Sequence, residues 1–295
     1  MLLLRRLSPY GLKPSQCRWQ PGALTKVISD YTHEAGVRDL ERQIGAVCRA
    51  IAAQIAKGET QRVIVTPGVV AEHLGPVRFF REARLKTSAP GVVTGLAYTP
   101  VGGEVLHIEA TRYPGKGGIT LTGQIGNVMK ESAQAALSLL RSRTKELGIN
   151  ADEFKDTDIH IHVPAGAVPK DGPSAGVAMF TALASLFTNR PVSSEVAMTG
   201  EVTLRGLVLP IGGLKEKSLA AARARIKKVI IPKLNEKDLP EIPEEVKRKV
   251  TFYPAETVDD VLAVALDTGN RAANNGKATK PSNNRPRNLS RGKRS

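Results

Sequence analysis

Between residues 81 and 90 the hydrophobic pattern of this 295-residue chain changes its period, and that change divides the molecule. Upstream, Val37, Leu40, Ile44, Val47, Ile51 and Ile55 recur at spacings of three and four, the mark of a helix that buries one stripe. Residues 22–57 are therefore predicted helical. A strand-like piece over 62–66 follows, then a short helix over 69–74 that Gly75 and Pro76 stop. The segment 81–90, REARLKTSAP, is charged and then turn-forming, and marks the boundary. Downstream, strands are predicted at 91–98 and 104–110 across a Pro/Gly turn, and again at 119–122, 158–163, 196–199, 203–209, 229–231 and 251–253. Helices are predicted over 128–147 (ended by Gly148), 177–187, 214–225 and 258–266. Helices and strands mix without a clean βαβ repeat. The expected fold is an α+β domain with mixed sheets and flanking helices, preceded by a small, mainly α-helical domain.

Composition bounds the partners. The apolar fraction is 41%, but only 4% of residues are aromatic, so the cores must be built from Val, Ile, Leu and Ala. Formal net charge is +15, which invites a nucleic-acid reading. Eight of those charges lie beyond Thr268, where there is no acid, so the rest of the chain carries +7. That tail is rich in Asn, Arg, Lys, Ser and Pro and lacks the apolar content to fold. Any contact with DNA is expected through it or a basic surface. Cys17 and Cys48 make neither a disulfide framework nor a metal knuckle, so a reducing compartment is the default. No stretch approaches the roughly 20 apolar residues of a membrane span. Arg5 and Arg6 follow the apolar start rather than precede it, the wrong order for a secretory signal. The expected address is the cytoplasm, with the mitochondrial matrix as the alternative.

The chemistry gathers around residues 169–176, PKDGPSAG. No G-x-x-x-x-G-K-[ST] phosphate loop occurs anywhere in the chain. His160 and His162 share one side of a strand, yet no third metal ligand suggests itself. They read as polar groups on a site-facing or solvent face, and no metal is expected. Ser174 sits in Gly172-Pro173-Ser174-Ala175-Gly176, formally the G-x-S-x-G of a hydrolase nucleophile elbow. That elbow needs a histidine after the serine, and His33, His73, His107, His160 and His162 all precede it. It also needs a strand running straight into the serine, whereas a Pro/Gly-rich loop intervenes.

Ser174 nevertheless falls in the first turn of the predicted apolar helix, behind a helix-opening Pro173, where free N–H groups gather and would stabilise an oxyanion. The competing reading is that Ser174 only caps the helix. As a nucleophile it needs a base. His160 or His162 is formally possible. A lysine is the other option, provided that burial lowers its pKa from about 10.4 toward about 7–8. Lys215 and Lys217, in PIGGLKEKSLAAARA at 210–224, both fall beside apolar positions of a helix, and periodicity does not choose between them.

These residues resemble a known family. PKDGPSAG, AMTGEVTLRG at 197–206 and LPIGGLKEKSLAA at 209–221 closely resemble the proteolytic domain of the ATP-dependent Lon proteases. The likeness runs from GVVTGLAYT at Gly91 through GQIGNVMKESAQAA at 123–136 and DIHIHVPAGAVPKDGPSAG at 158–176 to VIIP at 229–232. It implies a serine endopeptidase in which Ser174 is nucleophile and Lys217 base. Thr199 would hold the lysine, with Asp171, His160 and His162 near the site. YTHEAGVRDLERQIGAVCR, at 31–49, resembles the small helical subdomain of the family's ATPase module, with Arg38 at the nucleotide-sensing arginine. The implied layout is a helical subdomain over 1–83, a linker over 84–90, the protease domain over 91–267 and a basic tail over 268–295.

The family also implies a hexameric ring, unfolded or damaged proteins as substrates, and ATP with magnesium for the full-length protein. Here the sequence departs from the family, since the P-loop and the magnesium-binding acid are missing. The chain is expected to be a fragment or truncated reading frame beginning inside the ATPase module. The competing expectation is an inactive subunit that only binds other subunits or nucleic acid.

Overall fold

In the computed structural model, residues 7–79, 88–164 and 170–266 are described. The segment 80–87, most of the proposed linker, and the basic tail lie outside these residues.

The N-terminal unit has its own core. Strand β1 (Cys17–Trp19) leads into helix α1 (Pro21–Tyr31) and helix α2 (Arg38–Ala56). Strand β2 (Val63–Val65) pairs in parallel with β1, and helix α3 (Pro67–Leu74) follows. Val27, Tyr31, Ile44, Val47, Ile51 and Val70 are completely buried in its centre, and Cys17 and Cys48 are free thiols there. The single helix expected over 22–57 is in fact two. Thr32 turns extended at the end of α1. The Glu34 carboxylate then accepts from the Asp39 and Leu40 N–H groups, capping a second helix start. Val37, counted in the apolar stripe, lies just before that start and is exposed. The strand β1 gave no sequence signal, because three residues are too few to show a period.

Beyond Gly91 a seven-stranded mixed sheet forms, in the order β11-β10-β7-β3-β4-β6-β5. Its members are β3 (Val92–Thr99), β4 (Gly102–Pro114), β5 (Ile119–Thr122), β6 (Thr157–His162), β7 (Val196–Met198), β10 (Lys228–Pro232) and β11 (Thr251–Ala255). Strands β3, β7, β10 and β11 run parallel, whereas β4 is antiparallel to both β3 and β6. This is the α+β architecture anticipated. Helix α4 (Asn127–Ser142), helix α5 (Gly176–Thr188) and helix α7 (Val258–Ala265) share one core with the sheet. Helix α6 (Leu214–Arg223) packs in a second core with Leu96, Val105, Ala197, Val229 and Ile231. Among the described residues no helix is long and apolar enough to cross a membrane.

Two further expectations needed correction. The helix predicted over 128–147 breaks at Arg143, whose guanidinium is held by Glu146 and by Asp259, 2.8 Å away. The strand predicted over 203–209 is a hairpin of β8 (Glu201–Val202) and β9 (Val208–Leu209). Its turn is set by Gly206 at φ +83° and by Thr203 Oγ1, which accepts from the Leu207 N–H at 3.1 Å.

Candidate active site

The carboxyl ends of the parallel neighbours β3 and β7 open beside a cleft of about 480 Å³. Ala97, Tyr98 and Thr99 from β3 line it, as do Ser174, the loop 210–213 and Lys217. Helices α5 and α6 arrive there after crossovers onto different cores.

Ser174 lies in a single 3₁₀ turn, Pro173–Ala175, that precedes α5, so it stands one turn earlier than the apolar pattern implied. Gly172 has φ +128°, which only glycine adopts without strain, and it swings the chain into that turn. Ser174 does not cap the helix: Ala175 occupies the cap position and no side chain bonds there. Instead its carbonyl accepts from the Gly200 N–H at 2.9 Å and from Thr199 Oγ1 at 3.3 Å. The Val177 N–H returns a bond to the Gly200 carbonyl at 3.0 Å. The residues that follow β7 are thus stitched to the serine turn.

Thr199 is fully buried, and its hydroxyl also accepts from Lys217 Nζ at 3.0 Å. Lys217 is 2% exposed, one turn into α6, with its N–H bonded to the Gly213 carbonyl. Burial lowers its pKa to about 8, and among the described residues no carboxylate opposes that shift. At pH 7 roughly one such lysine in ten is neutral, against about one in 2,500 for a free side chain. Lys215, its rival by periodicity, is exposed. Gly213 starts α6 at φ +70°, with the Tyr98 ring so close that a Cβ would come within 2.8 Å of it. Bulk is excluded there.

The remaining candidates separate. Asp171 borders the cleft, and its Oδ1 accepts from the Met129 N–H and the Gly172 N–H, both at 2.9 Å. It fastens the serine loop to the first turn of α4. His160 and His162 sit on β6, where both ring systems bond Thr122 Oγ1, at 2.8 and 2.6 Å. They are not among the described residues that line the cleft. Arg38 is exposed at the first residue of α2, in the N-terminal unit. The described residues hold no group of three or more His, Cys, Asp or Glu that fits a metal ion.

Sequence reasoning missed several wall residues, namely Tyr98, Met129, Lys170 and Ile211. Lys170 is 4% exposed and its Nζ donates to the Pro164 carbonyl at 3.1 Å. Nothing in its neighbours' periodicity announces that burial.

Known proteins align with both halves of the chain. Residues 9–64 match the Lon protease AAA+ ATPase lid domain, and residues 64–268 match the Lon protease (S16) C-terminal proteolytic domain. A Lon protease from Geobacter metallireducens is 57% identical over 267 residues, covering 90% of this chain and 32% of the relative. One from Syntrophus aciditrophicus is 56% identical, covering 90% and 34%. Lon protease 2 from Myxococcus xanthus is 51% identical, covering 90% and 32%. The chain spans about a third of the length of these curated relatives. With residues 9–268 matched by these two family models, the chain belongs to the Lon protease family and carries that family's lid and serine-type proteolytic domain.

Proposed function

We propose that the chain is a serine endopeptidase with a Ser174–Lys217 dyad, the proteolytic part of an ATP-dependent protease acting on unfolded or damaged proteins. One observation carries this reading: buried Lys217 donates to Thr199, and Thr199 donates to the carbonyl of Ser174 beside an open cleft. Neutral Lys217 takes the Ser174 Oγ proton as Oγ attacks the peptide carbonyl. The N–H groups of Ser174 and Ala175 precede the first internal bond of their turn, from the Gly176 N–H to the Pro173 carbonyl, and can face the developing oxyanion. Protonated Lys217 then gives its proton to the leaving amine. A water, deprotonated by the same lysine, attacks the acyl carbonyl, and Lys217 returns that proton to Ser174 Oγ as the acyl–oxygen bond breaks. Thr199 keeps the ammonium in place between these steps.

The ATP and magnesium implied for the full-length family do not fit the residues present. The sequence has no phosphate-cradling loop, and Arg38, the nucleotide-sensing position by resemblance, supplies a cation but no phosphate or magnesium cradle. No step above passes through either group. A hexameric ring, admitting unfolded chains to an inner chamber in the cytoplasm, is the assembly that accords with the family. The test is labelling by a fluorophosphonate probe. The wild-type chain is expected to be labelled at Ser174 and the Ser174→Ala variant not at all. An unlabelled wild-type chain would favour a subunit that only binds, and would remove the peptidase reading.

A further inference from the structure

We propose that Asn235 is a positioning residue for this site, its amide clamping the Ile211 backbone and so fixing both a cleft wall and the start of the Lys217 helix. This inference rests on the Ser174–Lys217 reading. Asn235 lies in the 3₁₀ stretch Lys233–Glu241 after β10 and is 2% exposed. Its Oδ1 accepts from the Ile211 N–H at 2.9 Å, and its Nδ2 donates to the Ile211 carbonyl at 2.9 Å. The second Nδ2 hydrogen goes to Asp238 Oδ2 at 2.6 Å. The side chain thus pairs with Ile211 on both polar groups, as a neighbouring strand would. The orientation of the amide is forced: reversed, its oxygen would face a carbonyl and a carboxylate.

What the clamp holds is the loop 210–213, all of which borders the cleft. Gly213, two residues after Ile211, starts α6, and its carbonyl receives the Lys217 N–H at 3.0 Å. The loop contains two glycines, so it has little stiffness of its own. Without the clamp, Ile211 and the first turn of α6 lose their fixed relation to Thr199 and Ser174. Asn235 hydrogen-bonds Ile211 and Asp238 rather than either dyad member, and its effect passes through this loop.

The measurement is the fluorophosphonate labelling rate at Ser174 in the full 295-residue chain, from pH 6 to 10, with folding followed by circular dichroism. Asn235→Ala is expected to slow labelling by between about 10- and 100-fold, chiefly at saturating probe, and to displace the pH midpoint. Asn235→Asp places a carboxylate against Asp238. Adding Asp238→Asn restores a donor between the two positions, and the double variant is expected to recover part of the lost rate. Should Asn235→Ala fail to fold, Asp238→Ala, which only frees the amide, decides the matter with a smaller loss. Folded variants that keep the wild-type rate and midpoint would overturn the positioning role. An unlabelled wild-type chain would instead overturn the dyad, a separate and visible failure.

Discussion

The two helices that bring chemistry to the cleft are held by different means. Helix α5, behind Ser174, is buried on every side from Gly176 to Ser185. Its buried polar members are satisfied: Thr181 Oγ1 donates to the Val177 carbonyl, and Ser185 Oγ donates to the Arg190 carbonyl just past the helix and accepts from the Gly91 N–H. It cannot shift without disturbing the layer around it. Helix α6 buries one side, through Leu214, Lys217, Ser218, Ala220 and Ala221, and leaves Lys215 in water. Its place depends on a glycine-rich loop, on Thr199 and on the contact of Gly103 with the Glu216 carbonyl. The contrast accords with the tasks proposed for Ser174 and Lys217. A nucleophile needs position, which a core supplies. A lysine base needs position and desolvation together, and desolvation works against the fold.

The largest expected effect tests that division directly. Lys217→Met should cut Ser174 labelling by about 10²- to 10⁴-fold, the range for a general base. In the wild type, labelling should climb roughly tenfold per pH unit below the lysine's pKa of about 8 and level off above it. A profile flat from pH 6 to 9 would remove Lys217 from the mechanism. Next, Phe180→Ala on α5 should lower stability by about 3–5 kcal/mol, read by denaturant unfolding. An unchanged midpoint would mean that α5 is not the rigid partner.

Third, the same Lys217→Met variant should be more stable than wild type, by on the order of 3 kcal/mol below pH 8. The sign is fixed by linkage. Lys217 binds its proton less tightly when folded, so the penalty is full while both states are protonated, below the folded pKa of about 8. Between there and the ordinary value of 10.5 the unfolded state binds more protons, and wild-type stability recovers toward the variant. A gap that widens with rising pH would contradict the assignment. Smallest is Lys215→Ala, whose exposed side chain should change stability by less than about 0.5 kcal/mol and leave labelling untouched.

Much of the fold was legible because it rests on local period. The alternation at 158–163 and the apolar run at 177–187 became β6 and α5 with bounds shifted by a residue or so. The errors came where long-range partners overrode the pattern. Arg143 broke a helix by bonding Asp259, 116 positions away. Glu34 started a new helix where the apolar stripe alone suggested one continuous rod.

The site divides along the same line. By itself the sequence determined that Ser174 follows every histidine of the chain, and so excluded the order a hydrolase elbow requires; order along a chain needs no folding. Its motifs also carried the family resemblance. Only the tertiary structure decided which lysine is buried, because Lys215 and Lys217 occupy equivalent helical environments until a sheet and a loop are packed against one side. The resemblance had paired Thr199 with the lysine, but only the structure ties the same hydroxyl to the Ser174 carbonyl and brings Asn235 onto Ile211. Burial and hydrogen bonding between distant residues are properties of the packed chain, and no period in the sequence encodes them.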